Sequence, residues 1–170
     1  MRTEQLMWSW QGKSIEVGFD SAGQGALVLL LPAMSSISTR REMRPLQERL
    51  SARYRTLAID WPGFGDRARP ALAWTPQVYS AFLDFVAWEL APSAHAVIAA
   101  GHGATYALLH VCARRGCFGR LVLLAPTWRG PLPTMMNGQR PFFAGICRMV
   151  DVPVLGSLLY KMNVNRVVVG

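Results

Sequence analysis

Short apolar runs separated by amphipathic stretches constrain this chain most. ALVLLLPAM, residues 26–34, is almost uninterrupted. Strands covered on both faces read this way, and they belong to parallel sheets under helices. YRTLAID, HAVIAA and RLVLLAP, beginning at residues 54, 95 and 120, read as further strands. Between the first two, Pro45 sets the start of a regular helix near Arg44, with Leu46 and Leu50 on one face. Thr39 with Glu42 has the spacing of a capping box. A second helix begins after Thr75-Pro76, and Val78, Phe82, Phe85 and Val86 form its apolar stripe through about Leu90. Ahead of these, Trp8, Trp10, Ile15 and Val17 recur at period two around Gln11-Gly12, as in a hairpin. The expected fold is α/β: a mostly parallel sheet with an N-terminal antiparallel hairpin and helices on both faces.

The stretch AVIAAGHGATYALLH, residues 96–110, turns an apolar strand into an apolar helix through a tight Gly-His-Gly corner. A strand that bends sharply into a helix brings backbones close, so small residues must flank the bend. Ala100, Gly101, Gly103 and Ala104 supply them. The N–H groups that open such a helix also face the corner and favour an anion there. The helix runs on to a stop at Gly116.

Composition narrows the class. The chain has 170 residues, 51% of them hydrophobic, enough for one domain with a sizeable core. The net charge is +8 and is carried mostly by arginine. The arginines are scattered, with pairs only at Arg40-Arg41 and Arg114-Arg115, and no basic run interleaves with aromatics, so specific nucleic-acid binding is not expected. No metal-ligand spacing appears, and no metal or cofactor is implied. Cys112, Cys117 and Cys147 show no CxxC spacing, which suits a reducing, cytoplasmic compartment, and Cys112 reads as core packing. The N-terminus lacks the build of a signal peptide. The longest apolar run, residues 94–113, is broken at Gly101-His102-Gly103, so it reads as strand plus helix and not as a membrane span.

The order of LVLLLPAM, YRTLAIDWPGFGDR, AVIAAGHGATYALL and GRLVLLAPTW resembles the α/β-hydrolase family over roughly residues 12–128. DWPGFG looks like that family's loop after the fourth strand, and AAGHGA like its nucleophile elbow. In the Gly-x-Ser-x-Gly pattern of the elbow, Gly101 matches the first glycine, His102 the variable position, Gly103 the serine and Thr105 the last glycine. The attacking oxygen is therefore absent, and Thr105 is expected to turn away from the pocket. The resemblance further implies an oxyanion site at the backbone of Ala33 or Met34, joined by that of Ala104, with Ser35, Ser36 and Ser38 near the same rim as loop and cap groups. No histidine follows His110, and Asp151 is the only acid after the elbow, where it reads as a turn residue. His102 reads as a corner-packing residue and His95 as structural.

Residues 1–128 would form the hydrolase-like core and residues 129–170 the start of a helical cap. The family's last strands, which bear the acid and the histidine, have no counterpart, so the sheet is incomplete here or finished by pairing with a second copy through an open edge. Three functions follow. The first is a non-catalytic hydrolase-fold protein that holds a small apolar ligand or acyl ester in a pocket lined by Met34, His102, Trp128, Met135 and Met136. The second is an active ester or amide hydrolase completed by a partner or a further segment. The third is a protein bound to a membrane surface, with Phe142, Phe143, Ile146 and Val150 on one helical face between Arg140 and Arg148.

Overall fold

A computed structural model of the chain describes residues 1–35 and 37–127. Strands β1 (Arg2–Trp10) and β2 (Lys13–Ala22) form the expected hairpin. Its two-residue turn places Gln11 at φ 48° and Gly12 at φ 76°, the left-handed pair that matches the twist of a hairpin. Trp8 faces Ile15 across the pair, and Trp8, Ile15 and Val17 are buried. Strands β3 (Leu27–Leu31), β4 (Arg55–Ile59), β5 (Ala96–Ala100) and β6 (Arg120–Leu124) follow in the chain. The sheet order is β1-β2-β4-β3-β5-β6, antiparallel on the hairpin side and parallel from β4 onwards.

Both faces of the central strands are covered, which is why β3 reads as an unbroken apolar run. Leu29 and Leu31 point into the larger cluster with Ile59, Val97 and Ala99, while Val28 and Leu30 point the other way with Met43 and Ala58. Helix α1 (Arg44–Leu50) covers the smaller face. Helices α2 (Pro76–Phe85) and α3 (Gly101–Ala113) cover the larger one with Val78, Phe82, Tyr106 and Ala107. A π turn, Val86–Leu90, extends α2 to the end of its expected stripe. Among the described residues β6 pairs only with β5, and it exposes Val122 and Leu124. Among the described residues no helix is long and apolar enough to cross a membrane.

Two local expectations change. Thr39 does accept a hydrogen bond from the Arg41 N–H, at 3.1 Å, and so caps the short 3-10 turn Arg40–Met43. Glu42 does not return to close a capping box, because its carboxylate is taken by the Ala33 N–H. Cys112 is exposed, since it lies on the face of α3 turned away from the sheet.

Candidate functional site

The parallel strands deliver Pro32-Ala33, Asp60-Trp61, Gly101 and Ala125 to their carboxyl ends, where open α/β sheets hold their ligands. The bend sits between β5 and α3, as the small residues require. Its left-handed residue is Gly101, at φ 51°. The sequence reading matched Gly103, two residues on, to the family's serine. The β5–β6 pairing runs to Ala100–Leu124, so the strand stops there and the chain must turn at the next residue. Gly103 lies in the first turn of α3, buried, with no left-handed backbone. A β-carbon on Gly103 would come within 2.6 Å of the Pro32 carbonyl oxygen and 3.0 Å of Trp61 Nε1. Gly103 is therefore the close-approach residue, packed against Pro32 and Trp61. A β-carbon on Gly101 would instead meet that of Ala33 at 3.0 Å, so the corner looks towards the loop after β3.

That loop is already engaged. The Ala33 N–H donates to Glu42 Oε1 at 2.6 Å. A main-chain donor beside the corner thus carries a carboxylate supplied by the same chain. Met34 is half-buried and packs against the larger cluster. Ser35 makes loop contacts: its Oγ accepts from the Ile37 N–H at 3.4 Å, and its carbonyl from the Ser38 N–H at 3.3 Å. Ala104 is fully buried in α3.

The other corner side chains dock the segment after β6. The Thr105 hydroxyl donates to the Thr127 carbonyl at 2.7 Å, and His102 Nδ1 donates to the same oxygen at 3.2 Å. The Thr127 N–H in turn reaches the Gly101 carbonyl at 3.1 Å. Both side chains serve one acceptor and hold this segment against the bend. His95 immediately precedes β5 and stacks on Tyr54. Trp128, Ser36, Met135, Met136 and Asp151, with the basic and aromatic residues from Arg140 to Val150, lie outside the described residues.

Behind the corner sits an ion cluster that sequence patterning does not reveal. Arg40 is 2% exposed. Its guanidinium reaches Asp20 at 3.2 Å and Asp66 at 3.0 Å, and pairs with Asp60 as well. Burial alone would lower the Arg40 pKa, but hydrogen bonds and charge from Asp66, Asp60 and Asp20 outweigh it and raise it. The hydrogen bond from Arg40 draws Asp66 below the usual carboxylate range, while burial pushes Asp60 above it against the pull of Arg40. Two glycines make the room. A β-carbon on Gly18 would strike the Arg40 guanidinium at 2.6 Å, and one on Gly65 would overlap the Asp60 carboxylate. Pairs of Asp with a nearby Gly were the available signal, hidden because Arg40-Arg41 reads as surface charge.

At the far end of α3, His110 Nδ1 lies 2.9 Å from Asp84, which also holds Arg114. Burial lowers the His110 pKa, with Arg114 acting in the same direction and Asp84 against it. His110 is nine residues past Gly101, about 13 Å along the helix, too far to serve the corner as a base. Among the described residues no group of His, Cys, Asp and Glu has the arrangement of a metal site.

Residues 28–164 match the alpha/beta hydrolase family. No curated protein matches the chain. Among solved structures, an epoxide hydrolase from Vigna radiata superposes with a TM-score of 0.73 at 22% identity, covering 96% of this chain and 54% of its own. The haloalkane dehalogenase DatA from Agrobacterium tumefaciens C58 gives 0.71 at 18% identity, over 95% of this chain and 53% of its own. A probable hydrolytic enzyme from Pseudomonas aeruginosa PAO1 gives 0.67 at 19% identity, over 94% and 53%. These likenesses concern the fold, and the chain spans about half the length of each.

Proposed function

The chain belongs to the alpha/beta hydrolase family, and on that premise we propose that it is a non-catalytic member that holds a small apolar ligand or acyl ester over the Gly101 corner. One observation carries the reading. The left-handed residue of the bend has no side chain, and the main-chain donor beside it, the Ala33 N–H, is bound by Glu42. Nucleophilic catalysis needs an attacking atom with a base within hydrogen-bond reach, and stabilisation of the oxyanion needs free donors. Gly101 supplies no atom, Thr105 and His102 both donate to Thr127, and His110 is out of range. The proposed ligand site moves with the corner: it lies against Gly101 and Ala33, since Gly103 is covered by Pro32 and Trp61.

Small residues flank Gly101 at the spacing a sharp strand-to-helix turn requires, with Ala99 two residues before it and Gly103 two residues after it. Hydrolysis of p-nitrophenyl acetate and butyrate tests the reading. We expect no saturable turnover above that of the heat-denatured chain. Saturable turnover by the purified chain, abolished in Glu42→Ala or His102→Ala, would replace it with an active ester hydrolase. That second reading draws on the hydrolase names of the solved structures and on the half of their length that this chain does not span. In it, a further segment or partner supplies the missing groups, and turnover would appear only once that piece is added.

A further inference from the structure

The far end of α3 is tied to α2 by a histidine whose surroundings suit only its neutral form. The His110 side chain is 3% exposed, and its ring stacks on Phe118 with centroids 5.2 Å apart. A carboxylate only accepts hydrogen bonds, so the 2.9 Å contact with Asp84 of α2 places the ring proton on Nδ1. Nε2 is then the bare nitrogen. It is buried, and no hydrogen-bonding group meets it among the described residues.

A second proton would put an N–H on that sealed nitrogen and a charge on the ring. A buried charged donor without an acceptor is costly. The charge also finds little attraction, because Arg114 already holds Asp84. Arg114 Nη2 donates to Asp84 Oδ2 at 2.8 Å, and Nη1 pairs with Oδ1. Nη1 further lies 3.5 Å from His110 Nδ1, so one cation stands beside the ring before it is charged. A cavity of about 300 Å³ opens next to His110, between the ends of α2 and α3. Its titratable lining is otherwise Arg114, Arg115 and Cys117, and burial pushes the Cys117 thiol up, which keeps it uncharged. The π turn Val86–Leu90 adds only Ala87 and Trp88, which carry no charge. No second anion therefore waits for an imidazolium there. Burial accordingly outweighs the pull of Asp84 and lowers the His110 pKa from its ordinary 6.5. The cavity does offer room for several water molecules.

We propose that His110 is an acid-released latch: the neutral ring fastens the end of α3 to Asp84 and Phe118, and the protonated ring turns into the neighbouring cavity, where water accepts from Nε2–H. The stack on Phe118 is then lost, and the connection from Arg114 to Phe118 loosens. The Gly101 corner lies at the other end of α3, so the latch is independent of any ligand or activity there.

Nuclear magnetic resonance spectra of the parent chain from about pH 8 to about pH 4.5 test the proposal. The His110 ring should titrate with a midpoint below 6.5. Along the same curve the amides of residues 114–118 should shift, and the Phe118 ring signals should lose the displacement given by the stacked imidazole. Urea denaturation of the parent and of His110→Gln at about pH 7.5 and about pH 5 is the second arm. Folded His110 binds fewer protons than the unfolded chain, so its contribution is complete above about pH 6.5 and is lost as the pH falls below it. Over that interval the unfolding constant of the parent should rise at least about 3-fold more than that of His110→Gln. A midpoint at or above 6.5, Phe118 signals indifferent to the titration, or parallel pH profiles for parent and variant would overturn the proposal. The spectra use the parent alone, so they decide the question even where His110→Gln does not fold.

Discussion

Gly103→Ala is the substitution that most sharply separates the two glycines of the bend. The new β-carbon would sit 2.6 Å from the Pro32 carbonyl oxygen, against a comfortable separation of about 3.5 Å. The obstacle is backbone, so either α3 or the end of β3 must move by most of that shortfall. Overpacking of this kind costs about 1–3 kcal/mol. The same movement opens the buried bond in which Trp61 Nε1–H donates to Pro32 at 2.9 Å, and an orphaned donor costs about 1–3 kcal/mol more. Alanine recovers about 0.5–1 kcal/mol of helix propensity, which leaves a net loss of about 1–5.5 kcal/mol. At Gly101 the account differs. Its φ of 51° charges a β-carbon about 1–2 kcal/mol, and the contact at 3.0 Å is with the Ala33 methyl, which can give a few tenths of an ångström. Urea denaturation followed by tryptophan fluorescence reads both, with unchanged slope as the check that only stability has moved. Thermal midpoints should fall by about 2–4 °C per kcal/mol at this size. A Gly103→Ala chain within about 0.5 kcal/mol of the parent, or a larger loss from Gly101→Ala, would refute the placement of the corner at Gly101.

Arg40→Leu should cost about 3–5 kcal/mol in the same denaturation experiment, because it leaves Asp20 and Asp60 buried without their counter-charge; a loss under about 1 kcal/mol would show that the cluster does not brace the fold. Asp66→Asn tests the pH dependence. Asp66 titrates below its unfolded value, so its contribution is complete above about pH 4 and is lost as the pH falls through the lower folded value. The parent should therefore lose stability more steeply than Asp66→Asn between about pH 4 and 2, and parallel curves would contradict the pairing; Asp60, raised by burial, carries the opposite sign. Glu42→Ala should release the Ala33 N–H, seen as amide hydrogen exchange at Ala33 at least about 10-fold faster, and an unchanged rate would mean that Glu42 does not occupy this donor.

Hydrophobic patterning makes much of this molecule legible in its sequence. The runs at residues 27–31 and 96–100, the hairpin turn at Gln11-Gly12 and the helix start beside Pro45 follow from burial on two faces, left-handed backbone and the missing proline N–H. The corner is legible in kind, and its left-handed residue, Gly101, lies two residues before the glycine matched to the serine. Glycines spaced at i and i+2 satisfy the demand for small residues in either register. Only the β5–β6 pairing, a tertiary fact, decides where the strand stops. The loops that frame the corner are not legible, because charge holds them. Thr39 to Glu42 look like a solvated start of a helix. In the fold, Arg40 plunges between carboxylates from β2, from the end of β4 and from the loop after it, while Glu42, two residues on, reaches back to Ala33. The three aspartates lie 40 or more residues apart at the extremes, and they meet because β2, β4 and β3 are neighbours in the sheet. A single basic residue therefore fixes the same segment that fills the donor beside Gly101. A change that loosens Arg40 should also free the Ala33 N–H.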